Sequence, residues 1–306
     1  MDKEYDVVII GSGPAGLAAG IYTSRDRLSS LLLDNGIIGG NMGSTGTIDN
    51  YPGFPDSISG AELAELMHKQ ATKYGMETTL AEAKAINIKG DKKVIETTSG
   101  DVTARAVIIA AGSERVKLGA PGEEEFRGRG VSYCATCDGP LFRDKRLAVV
   151  GGGNTAVYEA LHLTKFASKF FVIHRRDQLR ATAVAQEKAL AESKIDLILD
   201  TTVKSIEGDD FVNRLILQNV KTEEQSTLNV DGVFISIGLK PNTAFVKDLL
   251  PLDEQGHIIT DGQMKTEIDG IFAAGDIRSG SVRQIVAAAG DGAVAAINAK
   301  KFIDGD

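Results

Sequence analysis

A glycine-rich turn that joins a short apolar strand to a helix occurs twice in this chain, and it restricts the fold more than any other feature. The first copy runs from the strand at residues 7–10 into residues 11–16, and the second runs from residues 147–150 into 151–156. Continuous apolar runs are typical of strands buried on both faces of a parallel sheet. A strand, a tight glycine turn and a helix open the βαβ unit that binds dinucleotides. The sequence therefore predicts an α/β fold with two Rossmann-like, three-layer nucleotide-binding domains.

The first turn is predicted to hold the pyrophosphate of a dinucleotide. Gly11 permits the tight turn, Gly13 lets the backbone approach the phosphates, and Gly16 lets helix and strand pack closely. The N-terminus of the helix offers unpaired N–H groups and a positive dipole end. Asp34 ends the next strand, where a carboxylate can bind a ribose, although the Asn and Gly that follow would also suit a turn role. The predicted contacts are Gly11, Ser12, Gly13, Pro14, Ala15, Gly16 and Asp34.

The second turn differs in how its next strand ends. The strand at residues 170–173 is followed by a cluster of basic residues, and no acidic residue stands at the ribose position. Arginines in that place would pair with a 2′-phosphate, which favours NADPH over NADH. The alternative is a solvated basic turn between strand and helix. The predicted NADPH contacts are Gly153, Asn154, Thr155, His174, Arg175, Arg176 and Arg180.

The chain has two cysteines, Cys134 and Cys137, and two residues separate them. A structural zinc site needs four Cys or His ligands, and the histidines of this chain show no ligand spacing. A haem attachment site would need His directly after the second cysteine, where Asp138 stands. We therefore expect a redox dithiol and no metal. Hydride transfer and thiol–disulfide exchange both move two electrons, so a flavin at the first turn could link NADPH to the dithiol.

A second stretch near the end of the chain resembles a flavin-binding motif. Residues 266–276 end in Gly275 and Asp276, as in flavoproteins whose aspartate binds the ribityl chain of FAD, and the alternative is a simple strand end. A helix rich in small residues follows Arg283 and Gln284. Because this flavin-binding motif follows the second glycine turn, we expect the chain to re-enter the first domain there. We predict a discontinuous FAD domain, 1–116 and 247–306, with an inserted NADPH domain, 117–246, that carries the dithiol.

The composition limits the possible partners. The 306 residues are 42% hydrophobic and 25% charged, which is ordinary for a globular protein, and the formal net charge is −8. Nucleic acid is not expected, because phosphate binding depends on clustered positive charge. Membrane insertion is not expected either, since no apolar run is long enough to span a bilayer. The start of the chain lacks the features of a signal peptide, and two cysteines in such a chain predict a cytoplasmic location.

With these motifs in place, the chain resembles the bacterial low-molecular-weight thioredoxin reductases over essentially its whole length. The resemblance rests on residues 11–16, 39–40, 50–55, 110–112, 134–138, 151–156, 174–176, 270–276 and 283–284. It implies a homodimer, tightly bound FAD, NADPH as the donor, and thioredoxin or a thioredoxin-like protein as the acceptor. The FAD contacts that it implies beyond the first turn are Gly39, Gly40, Asn41, Asn50, Ala111, Gly112, Gly275, Asp276, Arg283 and Gln284.

The resemblance also implies different roles for the two sulfurs. Electrons would pass from NADPH to FAD, then to the Cys134–Cys137 disulfide, and then to the disulfide of thioredoxin, with the inserted domain rotating between half-reactions. Cys137 would lie against the flavin and Cys134 would attack the partner's disulfide. Asp138 would manage the protons of the dithiol, and its alternative role is to cap a helix or a turn.

The sequence leaves alternative functions open, and several positions depart from the pattern of the family. Alternatives that keep the dithiol are a reductase with a ferredoxin-type donor, or with a glutaredoxin-like or peroxidase-system acceptor. A non-catalytic redox sensor is an alternative of another class. The departures are Asn41 in place of Gln, Tyr158 in place of an acidic residue, Val282 in place of Tyr, and Pro140 and Leu141 in place of aromatic residues that help to dock thioredoxin.

Overall fold

A computed structural model describes residues 4–45 and 47–305. The chain divides into two compact units, the first formed by Met1–Glu114 and Lys240–Asp306 and the second by Arg115–Leu239. The second unit is thus inserted into the first. Residues 240–246 belong to the first unit, where the side chain of Val246 is buried in the core beside Leu250 and Ile258. The first unit thus resumes at Lys240, and the domain bounds of 1–116, 117–246 and 247–306 stay a prediction.

Strands and helices alternate in the first part of each unit, and runs of consecutive strands follow. The strands are β1 (Glu4–Ile10), β2 (Ser30–Asp34), β3 (Glu77–Leu80), β4 (Ala83–Lys89), β5 (Lys92–Thr97), β6 (Val102–Ile109), β7 (Ser113–Arg115), β8 (Val131–Ser132), β9 (Arg146–Val150), β10 (Lys169–Ile173), β11 (Ile195–Ile198), β12 (Thr201–Gly208), β13 (Val212–Asn219), β14 (Gln225–Asn229), β15 (Gly232–Ile235), β16 (Leu239–Pro241) and β17 (Ile271–Ala273). The α-helices are α1 (Pro14–Arg25), α2 (Gly40–Gly43), α3 (Gly60–Thr72), α4 (Ala135–Asp138), α5 (Asn154–Leu163), α6 (Ala183–Ala191) and α7 (Ile285–Asp304). Segments of 3₁₀ helix span Gly139–Phe142 and Gly275–Ile277.

The first unit is built on a sheet in the order β3-β2-β1-β6-β5-β4, with β17 also paired to β6. Strands β3, β2, β1, β6 and β17 are paired in parallel. Strand β5 pairs antiparallel with β6, and β4 pairs antiparallel with β5. Alternate residues of β1 enter different cores, because successive side chains of a strand point to opposite faces. Val7 and Ile9 pack in the core that contains residues of α1, α3 and α7, whereas Val8 packs in the core that contains Leu250 and Ile258. This confirms that the first apolar run is a strand buried on both faces.

The second unit contains a parallel sheet in the order β11-β10-β9-β15-β8. Residues of α5 and α6 pack in the core on one face, and the antiparallel sheet β12-β13-β14 contributes to the core on the other. Both units thus have the layered α/β architecture that the two glycine turns predict, and the predicted fold class is confirmed. Among the helices of the described residues, none is both long enough and apolar enough to cross a membrane.

Candidate functional site

The carboxyl ends of four parallel strands meet at one edge of the first sheet. Ile10 of β1 pairs with Leu33 of β2 and with Ile109 of β6, and Ile109 pairs in turn with Ala273 of β17. The predicted flavin-binding segments follow these four residues directly. The parallel register therefore brings together segments that lie far apart in the sequence, at the edge where open α/β sheets bind their ligands.

The glycines of the first turn are required by close backbone contacts. Gly11 has a φ of +105°, and a Cβ atom at Gly16 would lie 1.8 Å from the carbonyl oxygen of Gly11. Gly13 differs, since a Cβ atom there would meet nothing within 4 Å. Gly13 also precedes α1, whose N-terminus has no side-chain cap and begins with Pro14. The arrangement leaves room for a phosphate at a helix N-terminus, where backbone N–H groups and the helix dipole favour an anion.

A second glycine pair packs against this turn. The N–H of Gly39 donates to the carbonyl oxygen of Ser12 at 3.0 Å, and a Cβ atom at Gly40 would lie 3.5 Å from the Cα atom of Gly13. The side-chain amide of Asn41 donates to the carbonyl oxygen of Ser113 at 2.9 Å. Asn41 thereby ties this segment to the chain that follows β6, next to the predicted contacts Ala111 and Gly112.

Asp34 lies at the end of β2 beside the first turn. One oxygen of its carboxylate accepts a hydrogen bond from the N–H of Ser12 at 2.6 Å, and the other accepts from the N–H of Gly36 at 2.7 Å. The first bond places the carboxylate beside the glycine turn, as the ribose interpretation requires. The second bond is the turn role that was its alternative. Asp34 makes both contacts at once.

The segment that follows β17 is held by an ion pair that sequence reasoning missed. Arg278 donates two hydrogen bonds to the carboxylate of Asp291, at 2.7 and 2.9 Å, and the N–H of Gly275 donates to the same carboxylate at 3.1 Å. Asp276 accepts a hydrogen bond from the hydroxyl of Ser281 at 3.2 Å. Asp291 lies on α7, so the pair fixes the Gly275 turn to that helix.

The start of α7 contains the last predicted flavin contacts. Gln284 is the N-cap residue of α7, and its side-chain oxygen accepts from the amide of Asn50 at 3.2 Å. Arg283 is exposed and has a φ of 60°. The helix α7 packs closely on α1, because a Cβ atom at Gly292 would lie 2.0 Å from the carbonyl oxygen of Ala15. The predicted contacts from both ends of the chain thus belong to one region of the first unit.

The second glycine turn is built in the same way as the first. Gly151 is confined by the carbonyl oxygen of Ser236, which would lie 2.2 Å from an added Cβ atom, whereas a Cβ atom at Gly153 would meet nothing within 4 Å. Gly153 precedes α5, whose N-terminus has no side-chain cap. The side-chain oxygen of Asn154 accepts from the N–H of Thr182 at 2.8 Å, so it also closes the loop before α6. This turn too leaves a helix N-terminus with room for a phosphate.

The basic cluster surrounds a buried histidine. His174 is 5% exposed, and a Cβ atom at Gly152 would lie 2.4 Å from its ring. Burial lowers the pKa of His174, and the positive charges of Arg180, Arg176 and Arg175 lower it further. His174 is therefore neutral near pH 7 and packs behind the turn. The three arginines are exposed, and they concentrate positive charge at the end of β10.

The two cysteines form a disulfide, with 5.3 Å between their Cα atoms. Cys134 is the N-cap residue of α4, and its sulfur accepts a hydrogen bond from the N–H of Cys137 at 3.2 Å. Both residues are partly exposed. The disulfide therefore spans a single helical turn and is partly exposed.

Asp138 ends α4 and is bonded to a serine that the sequence did not single out. The hydroxyl of Ser132 donates to the carboxylate of Asp138 at 2.6 Å and accepts from the N–H of Cys134 at 3.1 Å. Asp138 also precedes the 3₁₀ segment Gly139–Phe142, but its side chain makes no capping hydrogen bond to it. The carboxylate is directed to the start of the dithiol turn (residues 134–137), so the turn-capping role gains no support.

Tyr133, next to Cys134, is anchored by another residue that sequence reasoning missed. Glu123 is 3% exposed, and its carboxylate accepts from the N–H of Leu118 at 2.9 Å, the N–H of Gly119 at 2.7 Å and the hydroxyl of Tyr133 at 2.7 Å. Burial raises the pKa of Tyr133, and the bond to Glu123 raises it further. Glu123 and Tyr133 lie ten positions apart in the sequence, and no sequence motif indicates such a pairing.

Three of the residues that depart from the family pattern lie at the surface of the second unit. Leu141 is 75% exposed and Tyr158 is 47% exposed, and Pro140 is exposed as well. Leu141 follows the dithiol turn by four residues. The surface after the dithiol therefore presents an aliphatic side chain.

Comparison with known proteins gives consistent matches. The family model described as pyridine nucleotide-disulphide oxidoreductase matches residues 5–292. The thioredoxin reductase of Bacillus subtilis is 47% identical, over 99% of this chain and 96% of the relative, and that of Listeria monocytogenes is 46% identical, over 99% and 95%. The structure of thioredoxin reductase from Streptococcus pyogenes is 46% identical, with all of both chains covered and a TM-score of 0.95. That of Lactococcus lactis, described as the FR conformation, is also 46% identical and covers 99% and 100%, but its TM-score is 0.67.

Proposed function

Because this chain belongs to the pyridine nucleotide-disulphide oxidoreductase family, and within it to the thioredoxin reductases, we propose that it reduces the disulfide of thioredoxin with electrons from NADPH. The observation that carries the proposal is the surface disulfide of Cys134 and Cys137, in a chain that also has two glycine turns with open helix N-termini. The proposal includes FAD as the bound flavin, a homodimeric assembly and a cytoplasmic location. The homodimer is supported by family resemblance alone.

FAD fits the residues of the first unit. The open space at Gly13 and the uncapped start of α1 would hold its pyrophosphate, and Asp34 would accept hydrogen bonds from its ribose. Asp276, held in a turn that is fixed to α7, would bind the ribityl chain. When bound, a flavin supplies two-electron transfer between a nicotinamide and a disulfide. The other proposed contacts are Ser12, Gly39, Gly40, Asn41, Asn50, Ala111, Gly112, Arg283 and Gln284.

NADPH fits the second unit. Its pyrophosphate would lie at the start of α5, where Gly153 leaves open space, and its 2′-phosphate would lie among Arg175, Arg176 and Arg180. Guanidinium groups bind phosphate through paired, charge-assisted hydrogen bonds, so this cluster discriminates between NADPH and NADH. His174 is buried and neutral, so it adds no positive charge to the arginine cluster.

The dithiol performs the exchange with thioredoxin. The overall reaction converts NADPH, one proton and a protein disulfide into NADP⁺ and a protein dithiol. In the reduced enzyme, the Cys134 thiolate attacks one sulfur of the thioredoxin disulfide and forms a mixed disulfide, and Cys137 then attacks Cys134 and releases reduced thioredoxin. The Asp138 carboxylate would accept and return the protons of the dithiol.

Rotation of the second unit between half-reactions is part of the proposal. The proposed flavin site belongs to the first unit and the disulfide belongs to the second, so a rotation of one unit relative to the other would let the disulfide alternate between the flavin and thioredoxin. The solved relatives support it. Two of them are both 46% identical to this chain, yet their whole-chain TM-scores are 0.95 and 0.67. Divergence of sequence does not explain that difference, whereas a different arrangement of two rigid domains would.

A turnover assay with flavin absorbance followed in parallel tests the proposed function. The FAD-loaded protein is mixed anaerobically with NADPH or NADH, and thioredoxin is then added. We expect rapid bleaching of the flavin with NADPH, slower bleaching with NADH, and reoxidation when thioredoxin is added. A flavin that NADPH does not bleach would refute the donor, and a bleached flavin that thioredoxin does not reoxidise would refute the acceptor. Glutaredoxin in place of thioredoxin, and reduced ferredoxin in place of NADPH, test the alternative acceptor and donor.

A further inference from the structure

The hydroxyl of Ser132 bridges the two ends of the dithiol turn. It accepts from the N–H of Cys134, the first residue of the turn, and donates to the carboxylate of Asp138, the residue after Cys137. A serine hydroxyl has one hydrogen to donate and two lone pairs to accept with. Because an amide N–H only donates, the hydroxyl accepts there and uses its own hydrogen for Asp138. The hydroxyl thus accepts one hydrogen bond from the start of the dithiol turn and donates one to the residue that follows it.

Ser132 is buried on a strand, whereas the turn that it bonds is a single turn of helix. It lies on β8, where it pairs with Phe234 of β15, and its side chain is 4% exposed. The helix α4 is only one turn long, and so short a helix has little stability of its own. A carboxylate on such a turn has several side-chain rotamers to choose from. The bond from Ser132 selects the one in which the Asp138 carboxylate faces the start of the dithiol turn.

We propose that Ser132 is a positioning residue for disulfide reduction and that it acts through Asp138. This inference rests on the proposed acid–base role of Asp138, since a carboxylate must be held close to the thiols in order to exchange protons with them. Ser132 itself exchanges no proton with the dithiol. Without the Ser132 hydroxyl, Asp138 is still present, but its carboxylate can adopt other rotamers in which it no longer exchanges protons with the sulfurs.

A double-mutant cycle separates this role from a merely structural one. Wild type, Ser132→Ala, Asp138→Asn and the double variant are compared in two assays, flavin reduction by NADPH and steady-state reduction of thioredoxin. We expect Ser132→Ala to slow thioredoxin reduction by about 10- to 100-fold, the range of one hydrogen bond to a charged group. In the Asp138→Asn background the same change should slow it by less than about twofold, because the group through which Ser132 acts is already lost. Flavin reduction by NADPH should stay unchanged in Ser132→Ala, because the hydroxyl acts only on the dithiol.

Two further variants complete the test. Ser132→Thr keeps the hydroxyl and should restore thioredoxin reduction to within about twofold of wild type. Ser205→Ala is the matched control, because the hydroxyl of Ser205 donates to the carboxylate of Glu207 at 2.9 Å on β12 of the same unit, outside the dithiol turn. This control should leave both assays unchanged. Should Ser132→Ala fail to fold, Ser132→Gly also lacks the hydroxyl and is compared in the same way.

The possible results distinguish this inference from the proposed function. If Ser132→Ala slows thioredoxin reduction equally with and without Asp138, or does not slow it at all, the positioning role is overturned while the acid–base role of Asp138 stands. If Asp138→Asn alone leaves thioredoxin reduction unchanged, the acid–base role itself is overturned, and the inference on Ser132 falls with it.

Discussion

The ion pair of Arg278 and Asp291 should be a main support of the proposed flavin site. The side chains are 17% and 13% exposed, and the carboxylate accepts two hydrogen bonds from Arg278 and one from the N–H of Gly275. Removing one partner of a buried pair costs roughly 3–5 kcal/mol, because the other charge is left uncompensated. Since this pair keeps some contact with water, we expect Asp291→Ala to lower the free energy of unfolding of the first unit by about 2–3 kcal/mol.

Urea unfolding of FAD-free protein measures this cost without the stabilisation that bound FAD would add. Asp291→Asn keeps an oxygen that can accept from Gly275 but loses the charge, so its cost should be about half as large. Lys92→Ala is the control in the same unit, because the ion pair of Lys92 and Glu4 is 43% and 46% exposed and should contribute little to stability. FAD affinity is then measured by flavin fluorescence and should fall in the order wild type, Asp291→Asn, Asp291→Ala. An Asp291→Ala protein as stable as Lys92→Ala, with unchanged FAD affinity, would refute the reasoning.

Three other predictions concern the second unit. Replacing both Arg175 and Arg176 by Ala should raise the KM for NADPH by about 10- to 100-fold while leaving the KM for NADH nearly unchanged, and equal changes in both would refute the 2′-phosphate assignment. Tyr133→Phe removes one donor from the buried carboxylate of Glu123 and should destabilise the unit by about 1.5 kcal/mol in urea unfolding, whereas no change would show that the bond contributes nothing. His174 has a lowered pKa when folded, so its neutral form stabilises the unit above the unfolded value of 6.5 and this stabilisation is lost as the pH falls. Unfolding free energies measured between pH 5 and 8 should therefore decrease toward low pH, and His174→Asn should flatten that slope.

The segments that carry glycine turns and apolar strands could be predicted from the sequence because their signals are local. Turn conformation at Gly11 and burial on both faces of β1 depend on neighbouring residues and on strand periodicity alone. Asp34 shows the limit of such reasoning. The sequence presented ribose binding and a turn as alternatives, and the carboxylate bonds both the first glycine turn and its own turn.

The contacts that sequence reasoning missed join residues whose pairing depends on the tertiary fold. Ser132 meets Asp138 only because a strand end and a one-turn helix are placed side by side, and Arg278 meets Asp291 across a loop and a helix. A single sequence contains no periodicity or motif for such pairs. Such pairs are visible only in the side-chain geometry of the fold. That geometry also explains why Ser132 is tolerated at 4% exposure, because its hydroxyl both donates and accepts a hydrogen bond.

The central claim is that Cys134 passes electrons outward after the flavin has been reduced, and the Cys134→Ser variant tests it most directly. The FAD-loaded variant is mixed with NADPH in a stopped-flow instrument, and its steady-state reduction of thioredoxin is measured on the same sample. We expect flavin bleaching by NADPH at the wild-type rate and a loss of thioredoxin reduction of at least about a hundredfold, because the attacking thiolate is gone. Full thioredoxin reduction by Cys134→Ser would contradict the proposed relay.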